Sequence, residues 1–488
     1  SGIVSKKGNL IGPDKPFSPF CFLKTSTRSF VSDVVKSPTP MVTRETFNVL
    51  QCGLGLGLVL FAFLAMSSIE ETTLSDMHQR NPSISTQAGY YSQTIIYGLF
   101  IVSNILAPPI VAFLSCRWSL VIGSAGYTLF MSQFLYLSNF TLYGGSALEG
   151  LAAGLMWTAA GYYMALNSTD KTVGRNSSLL WLLSSASNIA GGIYLLAIFS
   201  TTDSEDIDES LTTVLYGTFC GVAFIGNIVF ALCRTNPKEG ELREKKRANY
   251  VAELVGIFRL APTRNMLLLA FPYAYTGLHT SFYSAVYPTS LSFTTNFPMS
   301  SKMVLGMNNL SVGLGQVFGC VLFIVIDHHV VRLGRFTGLV FGTALNLVAL
   351  TLIGLDIPVD APMAETTASS VIPPNAVVAC VAGLLLGIVD SSFHTQLYAI
   401  TSSLYEENCA QAMALFMFYH ALLSTCSMFY GGLLLLPIQL SILGLLSVVS
   451  TATFAVAELM NRRRPAETTN RIQPAEELTD CEGIEAKA

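Results

Sequence analysis

The sequence predicts an all-α polytopic membrane protein of twelve transmembrane helices in two six-helix halves, and three observations carry that expectation. Hydrophobic residues make up 51% of the chain and charged ones only 12%, a balance that cannot give a chain of this length the polar surface of a soluble fold. Twelve apolar segments are long enough to cross a hydrocarbon core, which takes roughly 20 helical residues. Between the sixth and seventh segments, residues 234–264 carry eight of the 27 Lys and Arg. So basic a run is excluded from lipid and is retained on the cytoplasmic side.

Taken in order, residues 1–44 read as a disordered cytoplasmic arm, mixing Lys, Ser, Pro and Phe without the apolar core of a secretory signal. Pro13, Pro16, Pro19, Pro38 and Pro40 oppose an amphipathic helix there, and Met41 is a candidate start. The N-terminal half, 45–233, holds spans at 47–69, 90–113, 118–137, 142–166, 178–199 and 211–233. After the linker at 234–264, the C-terminal half, 265–460, holds spans at 265–287, 302–326, 336–355, 375–400, 411–436 and 439–460. Residues 461–488 form a cytoplasmic tail.

An even number of spans with a cytoplasmic linker puts both termini inside. The basic residues sort accordingly: 25 of the 27 fall on the inner side, and only Arg80 and Lys302 fall outside. One helix more or fewer would invert the later loops and spoil this sorting. The outer segment 203–209 is acidic instead. The same topology makes Asn139, in Asn139-Phe140-Thr141, the glycosylation candidate. Asn167 and Asn176 fall inside, and Asn309 lies within the eighth span. Plasma and endolysosomal membranes both fit this arrangement.

Gly53, Gly55 and Gly57 have the look of a phosphate loop, but no strand precedes them and they lie in lipid. They read as helix-packing positions, as do Gly150, Gly154 and Gly161 in the fourth span and Gly383 and Gly387 in the tenth. Pro108 and Pro109 are expected to kink the second span. The ten cysteines are scattered and read as small apolar packing residues. No Cys/His spacing suits a metal, and no nucleotide loop or hydrolase elbow stands in a soluble setting. No enzyme, cofactor, metal or nucleic-acid partner is therefore expected.

Ionisable residues deep in spans carry more information, because a charge in the bilayer costs at least a few kcal/mol, roughly, and needs a functional or pairing reason. Glu149 lies in the fourth span, His279 in the seventh, Asp390 and His394 in the tenth, and His420 in the eleventh. At 1.5 Å per residue Asp390 stands about 22 Å from the outer end of its helix, and Glu149 only about 10 Å from its own. Asp390 and His394 are one helical turn apart and share a face. With no intramembrane Lys or Arg as partner, Asp390 is either a neutral donor, bonded to Ser391, Ser392 or Gln396, or a reversible proton carrier. His279 and His420 read first as satisfied packing histidines.

Two sets of six spans around a basic loop resemble the major facilitator superfamily, whose halves pack around a central path. The loop after the eighth span holds Asp327 and then Arg332-Leu333-Gly334-Arg335, similar to that superfamily's acid followed by Arg-x-Gly-Arg. The matching loop of the first half keeps Arg117 but lacks the acid and the glycine. The resemblance implies that spans 1, 4, 7 and 10 line the cavity, which makes Asp390, His394, Glu149, His279 and Gln396 candidates for proton coupling or for its wall.

A narrower resemblance runs through Trp157-Thr158, Ala160-Gly161 and Gly174-Arg175-Asn176-Ser177. It continues in Ala274-Tyr275-Thr276-Gly277-Leu278, in Pro358, Asp360, Ala361 and Pro362, and in Gly387, Asp390-Ser391 and His394-Thr395-Gln396. These motifs, in this order, are similar to the Unc-ninety-three-like family. The chain departs from it at Ala160, where the family usually has Gln, at His394, where it has Asn, and at Glu149, where relatives are commonly apolar. Asp390 matches. The resemblance implies a secondary transporter of a small solute, proton-coupled through Asp390, or alternatively a non-transporting regulatory or trafficking partner of an ion channel or receptor. Low charge in the spans favours a neutral, cationic or amphipathic solute over a strongly anionic one.

Overall fold

The computed structural model describes residues 43–80, 83–85, 87–169, 172–201, 209–237, 239–240 and 250–462. The predicted N-terminal arm up to residue 42, the acidic segment 203–208, most of the basic part of the linker and the C-terminal tail from residue 463 lie outside the described residues.

A helix covers each predicted apolar stretch. They are α1 (Arg44–Arg80), α2 (Ala88–Leu114), α3 (Cys116–Ser132, followed by a 3-10 turn Gln133–Tyr136), α4 (Asn139–Leu166), α5 (Val173–Thr201) and α6 (Glu209–Ala231). After the linker come α7 (Arg264–Phe293), α8 (Ser301–Leu333), α9 (Phe336–Asp356), α10 (Ala376–Leu404), α11 (Cys409–Gly431) and α12 (Leu436–Arg462). α7 is not uniform, because a π-helical turn, Phe282–Val286, interrupts it before its last segment. The linker contributes a helix of its own, Tyr250–Leu260, whose Leu254–Leu260 portion meets α7 at 92°.

Among the described residues, nine helices are long and apolar enough to cross a membrane, and the bent pair of linker helix and α7 makes a tenth if taken as one span. The other two predicted spans are less apolar or shorter. α3 has only 17 residues, and α4, with 28, is interrupted by Glu149 and its glycines. The protein is a multi-pass membrane protein.

Local signals set several helix ends. Ser138 caps α4 in a reciprocal capping box with Thr141, and the Asn375 side chain accepts from the Val377 amide at 2.8 Å to start α10. α1 runs well past the predicted end at residue 69 and carries Glu70 and Glu71 into the protein interior, 1% and 6% exposed. Hydropathy stops at the first acid, but helical hydrogen bonding and burial against α2 do not. The Glu71 carboxylate accepts from the Tyr90 amide at 3.0 Å, at the positive end of α2.

The packing repeats along the chain. α2 packs on α4 as α8 packs on α10, α3 on α4 as α9 on α10, and α3 on α6 as α9 on α12. Across the middle of the bundle α5 packs on α8 and α2 on α11, and again α5 on α10 and α4 on α11. Adding or subtracting six turns each pairing into its counterpart. The predicted packing glycines of α4 and α10 sit at these contacts: a Cβ on Gly150 would fall 2.2 Å from the Ile96 carbonyl of α2, and one on Gly387 2.0 Å from the Val312 carbonyl of α8. Only a residue without a side chain lets the backbones come that close.

Candidate functional site

Asp390 is the hub of the site. It is 1% exposed in the middle of α10, and its Oδ2 accepts from the Trp181 indole of α5 at 3.2 Å and from the Gln316 amide of α8 at 2.8 Å. Gln316 is itself held on both sides, donating to the Tyr283 hydroxyl of α7 at 3.1 Å and accepting from Asn188 of α5 at 2.7 Å. His394, one turn along α10, places its Nδ1 3.1 Å from Oδ1 of Asp390 and equally far from that residue's carbonyl oxygen. The His394 ring stacks on Trp181 with centroids 4.2 Å apart. His279 of α7 stands farther off, its Nδ1 3.9 Å from Oδ1. One carboxylate thus joins four helices that the chain separates by up to 209 positions.

A cavity opens beside this hub. Glu149, His394, His420, Gln316, Trp157 and Trp181 belong to its wall, and Asp390 lies behind it. Glu149 is fully buried, and among the described residues no hydrogen bond of good geometry reaches its carboxylate oxygens, the Tyr127 hydroxyl lying beside them. His420, read from the sequence as a packing histidine, both lines the cavity and pairs its Nδ1 with the Thr276 hydroxyl at 3.0 Å.

The other predicted residues go elsewhere. Gln396 does not line the cavity but accepts from Nη1 of Arg335 at 3.2 Å, because a further half-turn carries it round α10 towards the loop before α9. Arg332 is exposed at the end of α8, Gly334 follows at φ 126°, and the side chain of Asp327 lies outside the described residues. The Arg335 amide donates to Glu458 of α12 at 2.8 Å. In the first half Ser115, at φ 91°, stands where the second half has Gly334, and Glu239 accepts from the Cys116 amide at 2.6 Å as Glu458 does from that of Arg335.

Most of the narrower motifs are packing devices. Trp157 reaches the cavity wall and donates to the Tyr127 hydroxyl at 3.1 Å, while Gly161 makes room for Met413 of α11. Gly174 is buried in the first turn of α5, where Arg175 donates to Thr46 of α1 at 2.9 Å and Asn176 to the Asn167 carbonyl at 3.1 Å. Around Pro358–Pro362, the Val359 carbonyl accepts from the Leu436 amide at 2.9 Å, fastening that loop to α12. Asn139 is exposed at the start of α4, with its amide donating to the Ser83 carbonyl at 2.7 Å.

Sequence reasoning missed Gln316, Trp181, Asn188 and Tyr283, which complete the hub, and Glu70, which accepts from Gln93 next to Glu71. Gln316 stood in plain sight as an amide in the middle of an apolar span. The rest are ordinary residues of membrane helices until their partners are known.

The comparisons agree with this architecture. Residues 80–455 match the family described as "Ion channel regulatory protein UNC-93". The chain is 30% identical over 442 residues to the UNC93-like protein MFSD11 of Xenopus laevis, covering 85% of this chain and 96% of that one. It is 24% identical over 474 residues to protein unc-93 homolog A of Bos taurus, covering 88% and 97%. Among solved structures it is similar to the E. coli fucose:proton symporter FucP, at a TM-score of 0.54 and 15% identity over 84% of this chain and 98% of that one. That likeness shows the fold. A major-facilitator-like helical bundle, a match over most of the chain and a 30% identical relative spanned almost end to end lead to one conclusion: this chain belongs to the UNC-93 family.

Proposed function

We propose that this chain is a secondary transporter of a small solute, crossing the membrane twelve times in two six-helix halves, 45–233 and 265–460, with both termini and the linker cytoplasmic. In this reading Asp390 is the proton-coupling group. The observation that carries the reading is where its bonds go. Trp181 and Gln316 come from opposite halves and meet on one carboxylate oxygen, at 3.2 and 2.8 Å, directly behind the cavity. Hydrogen bonds to an ionised carboxylate are roughly twice as strong as neutral ones. An ionised Asp390 therefore holds α5 against α8 and α10, and a proton on it loosens that hold. Rocking of one half against the other around a fixed site needs such a contact, one that can be made and released.

The test is solute-dependent proton flux in proteoliposomes carrying an internal pH indicator, across a panel of amines, sugars and amino acids. Wild type is expected to couple one of them to proton movement, and Asp390→Asn, which keeps the shape of the side chain, to retain its folding and lose the coupling. Coupling that persists unchanged in Asp390→Asn overturns the role given to this residue.

A second reading is supported by the family's description as ion-channel regulators. There the helices stay static and present a surface to a channel or receptor subunit, and such a subunit co-purifies equally with wild type and Asp390→Asn.

A further inference from the structure

Glu149 and Asp390 are both buried acids, but they differ in their surroundings: Oδ2 of Asp390 accepts from Trp181 and Gln316, and His394 stands 3.1 Å from its Oδ1. Among the described residues no hydrogen bond of good geometry reaches either Glu149 oxygen; the Tyr127 hydroxyl is the polar group beside the carboxylate, and the side chain forms part of the cavity wall. A carboxylate kept from water needs a proton or a counter-charge. Among the described residues no Lys or Arg lines the cavity to serve as that counter-charge. His394 and His420 reach it, but their Nδ1 atoms are turned to Asp390 and Thr276.

The surroundings of Glu149 are aromatic. Phe63, Tyr97, Phe100, Tyr127, Trp157 and Trp181 line the same space. Trp157 is steadied by its bond to Tyr127 at 3.1 Å, and Phe63 packs edge-on to Tyr127 with centroids 5.2 Å apart. Aromatic faces attract cations, and most strongly where water is excluded. A metal ion is a poor match, because hard cations collect six or more oxygen ligands and this wall has a single carboxylate. An anion would face Glu149 uncompensated.

We infer that the cavity binds an organic ammonium ion, with Glu149 as its charge partner and the aromatic rings, Trp157 among them, around its carbon skeleton. The inference rests on the solute-cavity reading and names the class of solute. Asp390 keeps a separate role, because its Oδ2 is occupied by Trp181 and Gln316 and it stands behind the wall.

The experiment is equilibrium binding to the full chain in lipid nanodiscs, using three probes of similar size: phenethylammonium, the neutral 2-phenylethanol and the anion phenylacetate. Phenethylammonium is expected to bind at least tenfold more tightly than 2-phenylethanol, and phenylacetate not to bind. In Glu149→Gln the preference for the ammonium should vanish while the affinity for the alcohol stays. Trp157→Leu should weaken the ammonium more than the alcohol, and it decides the matter if Glu149→Gln does not fold. Equal affinity for ammonium and alcohol, ammonium binding unchanged in the folded variants, or no binding of the ammonium to wild type overturns the inference. Flux of the same probes into proteoliposomes is read separately. Ammonium binding without flux overturns transport and leaves this inference standing, whereas proton-coupled flux of a neutral solute without ammonium binding does the reverse.

Discussion

Ser115 and Gly334 stand at matching places, each one residue ahead of the amide that starts its helix's capping contact, and each at positive φ, 91° and 126°. Glycine takes such a conformation freely, whereas a serine there is strained by about 1–3 kcal/mol. Ser115→Gly is therefore expected to raise the thermal stability of the purified protein, and Gly334→Ala to lower it. A Ser115→Gly protein that unfolds at a lower temperature than wild type would contradict the strain.

The carboxylates behind these turns hold the starts of α3 and α9. Glu458 accepts from the amides of both Arg335 and Phe336 at 2.8 Å, and Glu239 from that of Cys116 at 2.6 Å. Removing a capping side chain costs about 0.5–2 kcal/mol. Glu458→Ala should speed amide exchange in the first turn of α9 and leave α3 unchanged, with Glu239→Ala showing the opposite pattern.

Gly277 admits no side chain, because a Cβ there would fall 1.8 Å from the His420 carbonyl of α11. Gly217 on α6 has open space around it. Forcing a methyl into a packed contact costs about 1–3 kcal/mol, so Gly277→Ala should lower the melting temperature clearly and displace the Thr276–His420 pair, while Gly217→Ala should be neutral or mildly stabilising. Melting curves of the two variants side by side check this.

Gln316 serves Asp390, Asn188 and Tyr283 with one amide group. In Gln316→Leu the buried Asp390 and Tyr283 and the half-buried Asn188 lose it together, at a cost of about 1–3 kcal/mol or more where charge is involved. Combined with Asp390→Asn the losses should not add, giving a coupling energy above about 0.5 kcal/mol, as for residues in direct contact. Strict additivity in the melting data would mean the contact has no energetic weight.

Asn139 should carry a glycan in eukaryotic expression, seen as a mobility shift removed by peptide N-glycosidase and absent from Asn139→Gln. A shift that survives Asn139→Gln would place another sequon outside and invert the proposed topology.

The sequence by itself determined where the helices lie and that Glu149 and Asp390 are buried in them. Hydropathy and helical spacing are sums over neighbours in the chain, so the apolar stretches, the packing glycines and the one-turn pairing of Asp390 with His394 were legible. Local sums failed at Glu70 and Glu71, where the helix continues through acids that α2 receives. They failed again at Gln396, whose place on α10 gave no sign that Arg335 rather than the cavity would claim it. Only the tertiary structure decided that Oδ2 of Asp390 accepts from Trp181 and Gln316 while Glu149 receives no such donors and faces the cavity. The reason is geometric: a buried polar group is satisfied or not by the faces that other helices turn towards it, and those faces come from residues 74 and 209 positions away.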